Sequence, residues 1–211
     1  MSAPDTYTRF THRFFDRWSP LYDLFAKPIG FAYGAAVRAA GARPGRRILD
    51  VCTGTGEIAI RCARRGAEVT AIDLTPSMMA RAREKAQELP IVFTLMDARQ
   101  LEFPDDAFDV ALLSFALHDM PRNVRSQVLR EAARVTREAL VILDYELARG
   151  GWRRGLGLRF LELFETPYLR QFSQGGVPAA LSDAGLPIPP RKLVLPGLIA
   201  LRTVPLPDDH P

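Results

Sequence analysis

The sequence predicts an α/β protein built on a largely parallel sheet with helices packed on both faces. Three observations predict it. Apolar runs of strand length recur at 47–51, 68–73, 91–95, 108–117 and 139–146; such continuous runs suit strands buried on both faces. Helical stretches separate most of them, the arrangement that right-handed βαβ units require. Between the first strand and the first of these helices stands a two-glycine turn, Gly54-Thr55-Gly56, at the sheet edge where such folds bind ligands.

The elements follow in order. Residues 6–40 read as helix, rich in aromatic side chains (Phe10, Phe14, Phe15, Trp18, Tyr22, Phe25, Phe31, Tyr33), with Pro20 and Pro28 expected to break it into short pieces. The first strand is "RILDV" (47–51), and the helix "EIAIRCARR" is stopped by Gly66. After the strand "EVTAID" (68–73), Thr75 caps a helix that has Pro76 at its first position and runs to about Leu89. "IVFTL" (91–95) is the third strand. The turn Pro104-Asp105-Asp106 leads into "FDVALLSFAL" (108–117), a helix from about Pro121 to Arg137, and the strand "ALVILDYE" (139–146). Helical stretches follow at 156–165 and 176–184. The last runs, 192–195 and 198–204, flank Pro196-Gly197. That connection is too tight for a helical crossover, so an antiparallel pair, or one strand with a bulge, is expected at the sheet edge.

A chain of 211 residues, 47 % hydrophobic, can bury one substantial core. The expected organisation is a single domain: a helical cap at 1–44, a ligand-binding core at 45–204 and a frayed tail at 205–211. No apolar run approaches the roughly 18 residues of a membrane span, and "MSAPDTYTRF" lacks the basic and apolar regions of a signal peptide, so the expected location is cytoplasmic. Cys52 and Cys62 fit neither a redox pair nor a zinc site, and the three histidines are scattered; no metal is expected. The net charge of +4 is concentrated in part at "RGGWRRGLGLR" (149–159). This segment suits phosphate on lipid or nucleic acid, or is simply a solvated helix face.

Residues 54–59, "GTGEIA", match the fingerprint GxGxxA. Alone it leaves nicotinamide, flavin and adenosyl ligands open, and a tight turn would also explain it. Three features separate these readings. Asp73 ends the second strand, 17 residues after Gly56, where a carboxylate accepts from a ribose diol. Asp50, just before the turn, would repel a pyrophosphate but suits an ammonium. At the exit of the third strand Asp97 can accept from an adenine amino group while the Ala98 N–H donates to a ring nitrogen.

On these residues the chain resembles the class I S-adenosylmethionine-dependent methyltransferases, and is most similar to the ubiquinone/menaquinone-biosynthesis C-methyltransferases and phospholipid N-methyltransferases. The motifs that carry the resemblance are "LDVCTGTGEIA", "VTAIDLTPSMMARAREK", "MDARQLEFPDDAFDVALLSFALHDMP" and "LREAARVTREALVILDYE", with "FFDRWSPLYDLF" before them and "LSDAGL…PGLIALRTV" after. The resemblance implies a Rossmann-like seven-stranded sheet, order 3-2-1-4-5-7-6, with strand 7 antiparallel and an N-terminal helical cap. It implies S-adenosylmethionine as cofactor, with S-adenosylhomocysteine as product. The loop Thr53, Gly54, Thr55 and Gly56 would pass under the methionine and ribose. Asp73 would hold the ribose diol, Leu74 and Met78 would line the adenine pocket, Asp97 and Ala98 would read the adenine edge, and Ser114 would approach the methionine end. Tyr22 would belong to a lid over the cofactor. Cys52 departs from the pattern, standing where many relatives have a small residue.

Methyl transfer mainly needs an acceptor held in line with the reactive methyl group and shielded from water. Where the acceptor must lose a proton, His118, just beyond the fourth strand, is the expected base, with Asp119 beside it and Tyr145 after the fifth strand. The acceptor is expected to be small and lipophilic, a quinone-ring carbon or a phospholipid amine. An aromatic and basic chain of this kind suits peripheral contact with the inner membrane surface. The alternative is a soluble N or O acceptor. An NAD-dependent oxidoreductase is disfavoured because no Tyr-x-x-x-Lys pair is present. A non-enzymatic RNA-binding protein is disfavoured because there is no aromatic sheet motif for stacking bases; no nucleic-acid partner is expected.

Overall fold

A computed structural model describes residues 5–26, 29–146, 166–195 and 198–207, with the side chains of 18–26 outside the description. Seven strands form one sheet: β1 (Arg47–Val51), β2 (Glu68–Asp73), β3 (Ile91–Leu95), β4 (Phe108–Ser114), β5 (Thr136–Tyr145), β6 (Lys192–Leu195) and β7 (Ile199–Pro205). Their order is β3-β2-β1-β4-β5-β7-β6. β1 to β5 run parallel, and β7 pairs antiparallel with β5 and with β6. The order, and the antiparallel strand 7, agree with expectation. The helices are α1 (Thr6–Ala26), α2 (Gly30–Ala39), α3 (Glu57–Ala63), α4 (Pro76–Ala86), α5 (Arg122–Arg134) and α6 (Tyr168–Ala184).

The apolar runs dictate this sheet. Ile48, Leu49, Ile72, Leu112, Leu113 and Leu140 are all inaccessible to solvent or nearly so, as expected of central parallel strands covered on both faces. The strand order reverses between β1 and β4, which opens a crevice at their C-terminal ends.

Several boundaries differ from the sequence expectation. α1 runs unbroken through Pro20; a proline within a helix removes one backbone donor without necessarily ending it. β4 stops at Ser114, not 117, because Phe115 takes a left-handed conformation (φ 49°) and Leu117–Asp119 closes into a 3₁₀ turn. α4 ends at Ala86, with Gln87 at φ 51°. The Thr75 hydroxyl makes no capping bond; its N–H is instead taken by Asp73 Oδ1 at 2.8 Å. α5 ends at Arg134 and β5 begins at Thr136. The helix expected at 176–184 is the second half of α6, beyond a kink at Gly176. The stretch 156–165, the basic segment 149–159, Pro196-Gly197 and the tail from 208 lie outside the described residues. Among the described residues no helix is long and apolar enough to cross a membrane, and no cluster of His, Cys, Asp or Glu is set to hold a metal.

Gly66 ends the α3 turn at φ 84°, and a Cβ there would lie 2.9 Å from Pro44 Cγ. Gly66→Ala is therefore expected to lower stability by about 1–2 kcal/mol, from backbone strain and displacement of Pro44. Chemical denaturation measures this; an unchanged midpoint would contradict it.

Candidate functional site

The glycine turn is held from beneath. Thr53 N donates to Ile72 O at 2.9 Å and Gly56 N to Thr53 O at 2.9 Å. Gly54 and Gly56 both have positive φ, as does Cys52. A Cβ on Gly56 would come within 3.0 Å of Ala82 Cβ, whereas one on Gly54 would meet nothing within 4 Å. Gly56 thus lets α4 pack against the turn, and Gly54 leaves the backbone open to a ligand.

Above this turn lies a cavity open to solvent, bounded by Thr53, Gly54 and Thr55 of the turn, Asp73 and Leu74 at the end of β2, Met78 of α4, and Ser114 at the end of β4. Tyr7, Thr11 and Phe15 of α1 also line it, as do Tyr33 of α2 and Phe115. A second cleft, open to solvent, shares Tyr7, Cys52, Asp73, Leu74 and Met120 with the first and adds Met96, Asp97, Ala98 and Arg99. The main cavity's walls include the carboxylates of Glu57, Asp73 and Asp119; no Lys or Arg is among its described lining residues.

Asp73 stands where the two spaces meet. Its Oδ2 accepts from Gly54 N at 2.8 Å and its Oδ1 from Thr75 N at 2.8 Å. Burial raises its pKa, and these backbone donors oppose the rise. Each oxygen keeps a lone pair for a further donor.

Asp50 and His118 occupy different places from those their sequence positions suggest. Asp50 is not on the cavity wall. It lies beneath the turn, 1 % exposed, with Oδ2 accepting from Thr53 Oγ1 at 2.6 Å and from Ala59 N at 3.1 Å, while Oδ1 has no hydrogen-bond partner. Burial pushes its pKa up to about 7 against those two donors. His118 is likewise behind the wall, 2 % exposed, and it is Asp119 that lines the cavity. The Tyr145 ring packs 4.7 Å from the His118 ring and faces a separate hollow beside Phe172 and Arg191. The Tyr22 side chain lies outside the described residues.

The cap side of the site contains contacts that the motifs did not reveal. Asp5 caps α1 by accepting from Thr8 N at 2.8 Å. Arg99 bonds Asp97 through Nε and Nη2, reaches Thr8 Oγ1 at 3.1 Å, and also pairs with Asp5. Its guanidinium lies 5.5 Å from the Tyr7 ring centroid. Farther along α1, His12 Nε2 lies 2.9 Å from Leu74 O. These contacts tie α1 across the mouth of both spaces. The one available sequence signal was spacing: Tyr7, Thr11 and Phe15 recur every four residues on one helix face. The Cys52 thiol is pushed well above its ordinary range by burial and then by nearby Asp73, which leaves it a poor nucleophile.

Residues 48–139 match a family model described as a methyltransferase domain. The chain is 34 % identical over 143 residues to the demethylmenaquinone methyltransferase of Beutenbergia cavernae, covering 66 % of this chain and 57 % of that one. It is 40 % identical over 116 residues to a ubiquinone/menaquinone biosynthesis C-methyltransferase of Bdellovibrio bacteriovorus, covering 52 % of this chain and 48 % of the relative. The chain spans about half the length of the curated relatives it matches. Among solved structures, the magnesium protoporphyrin IX methyltransferase of Synechocystis PCC 6803 with bound SAH superposes with a TM-score of 0.73 at 19 % identity, over 95 % of this chain and 100 % of that one. That likeness is one of fold. Residues 48–139 thus match a methyltransferase-domain model, and the chain is similar in sequence to demethylmenaquinone and ubiquinone/menaquinone methyltransferases.

Proposed function

We propose that this chain is a class I methyltransferase, that it binds S-adenosylmethionine at the ends of β1, β2 and β4, and that it methylates a ring carbon of a lipophilic, quinone-type acceptor in its reduced form. The observation that carries this reading is the charge of the main cavity. Among the described residues it is lined by Asp73, Asp119 and Glu57, the last paired with Arg61 and Lys85, and by no basic side chain, which suits a ligand bearing a sulfonium and an ammonium and opposes a pyrophosphate.

In this reading Thr53, Gly54 and Thr55 hold the methionine part and Asp73 accepts from the ribose hydroxyls. Leu74, Met78, Asp97 and Ala98 take the adenine, and Ser114 meets the methionine end. Bound there, S-adenosylmethionine supplies an electrophilic methyl group. The protein's own task is positioning and exclusion of water, effects that can account for several kcal/mol of a barrier. α1 covers the site with Tyr7, Thr11 and Phe15, and the aromatic walls Phe15, Tyr33 and Phe115 favour a flat apolar acceptor over a polar one. The acceptor class is carried over from the two curated relatives, whose names are those of demethylmenaquinone and ubiquinone/menaquinone enzymes. Peripheral membrane contact through the basic segment 149–159 fits such an acceptor and rests on sequence alone.

The test is methyl transfer from labelled S-adenosylmethionine to reduced demethylmenaquinone, with a soluble catechol and a phosphatidylethanolamine vesicle alongside. Label in the quinol alone is the expected result; label only in the catechol or the lipid would refute the acceptor class.

A further inference from the structure

We propose that Asp119, not His118, is the side chain that receives the acceptor's proton, and that His118 and Asp144 behind it form a positioning chain. This inference rests on the methyl-transfer reading above.

The geometry runs in one direction. Asp144, at the end of β5, is 1 % exposed and its oxygens already accept from Leu117 N at 3.0 Å and Tyr145 N at 2.7 Å. A carboxylate so held calls for donors, so His118 Nδ1, 2.7 Å from Asp144 Oδ1, carries its proton toward Asp144. The ring's other nitrogen, Nε2, lies 3.4 Å from Asp119 Oδ2, so it can accept a hydrogen bond from Asp119 once that carboxyl has taken the acceptor's proton. Only Asp119 of these three lines the main cavity, beside Phe115, Ala116 and Met120. The turn that carries the pair is fixed from outside: Arg125 Nε donates to Leu117 O at 2.8 Å, and the Tyr145 and Phe172 rings pack against the imidazole. The imidazole thus stands between two carboxyl groups, closed off from the acceptor, donating to Asp144 and ready to accept from Asp119 when Asp119 is protonated.

The step balances. The methyl group leaves sulfur without the bonding electrons and bonds the acceptor carbon; that carbon's proton passes to an Asp119 oxygen, and the electrons of its C–H bond stay in the ring. One positive and one negative charge are lost together, so the buried site gains no net charge. After product leaves, Asp119 returns the proton to solvent.

The test measures transfer to reduced demethylmenaquinone by the full chain, with S-adenosylhomocysteine affinity measured by calorimetry. Asp119→Asn is expected to lower kcat roughly 100-fold or more while cofactor affinity stays within about threefold. Formate added to Asp119→Ala should restore rate in proportion to its concentration, a rescue that a purely structural carboxylate would not show. His118→Gln should lower kcat with the KM for S-adenosylmethionine little changed. An Asp119→Asn kcat within about threefold of wild type, or no formate response, would overturn the proposal. A second measurement needs no acceptor: in the S-adenosylhomocysteine complex, Asp119→Asn should move the His118 Nε2 resonance and leave Nδ1 in place. If wild type binds S-adenosylhomocysteine but transfers nothing to the quinol, the acceptor class fails and this spectrum decides for the chain of residues; an unmoved Nε2 resonance overturns it.

Discussion

Replacing Asp73 by alanine is expected to weaken S-adenosylhomocysteine binding by about 1–3 kcal/mol, roughly 5- to 150-fold, and to lower stability as well. The two losses share one cause. The carboxylate accepts from Gly54 N and Thr75 N, so it both shapes the glycine turn and stands at the junction of the two ligand spaces. Truncation leaves both backbone donors without their acceptor and removes the group proposed to meet the ribose diol. Asp73→Asn should show most of the same loss, because an amide offers one acceptor oxygen where two are used. Calorimetric titration and denaturant melts of both variants check this. Unchanged affinity in Asp73→Ala would sink the ribose assignment.

Asp50→Asn is expected to do the opposite and to stabilise the protein above neutral pH. One oxygen of Asp50 takes both hydrogen bonds and the other has no partner, so an amide can keep the bonds. The sign follows from burial, which raises the folded-state pKa from 3.8 to about 7. A carboxyl raised in this way favours the fold fully below pH 4 and progressively less as pH rises to about 7. Above that, folding must bury an ionised, half-satisfied carboxylate. Three pKa units correspond to about 4 kcal/mol, the upper end of the expected gain at pH 8. The wild type should therefore lose stability between about pH 4 and 7, and Asp50→Asn should lack that part of the slope. Because Asp50 lies under the turn rather than on the cavity wall, cofactor affinity should hold. A variant less stable at pH 8 would contradict the burial argument, and one with lost affinity would mean that the carboxylate reaches the ligand's ammonium.

Asp50 and His118 also mark the limit of what the residues alone disclosed. The strands, the glycine turn and Asp73 were legible because each rests on a local rule: continuous apolar runs, positive φ at glycine, an acid at a strand end. The strand order was not local; it came from resemblance, and the register of β5 with β7 agrees with it. What remained hidden was direction. In a 3₁₀ turn neighbouring side chains point about 120° apart, so nothing in "LHDM" says whether His118 or Asp119 meets the cavity. Phe115 carries no signal for the left-handed conformation that ends β4 at Ser114. Arg99 links Asp97 to Asp5 and Thr8 across more than 90 positions of sequence, |i−j| being 94 for Asp5; only the packing of α1 brings them together. At Pro20 the converse holds: a strong local rule yields to the rest of its helix.

The carboxylate-lined cavity is expected to take S-adenosylmethionine rather than a dinucleotide. Calorimetric titration of the intact protein with S-adenosylhomocysteine and, separately, with NADH tests it most directly. Micromolar binding of S-adenosylhomocysteine and no heat from NADH are expected. Binding of NADH alone, or of neither ligand, would contradict it.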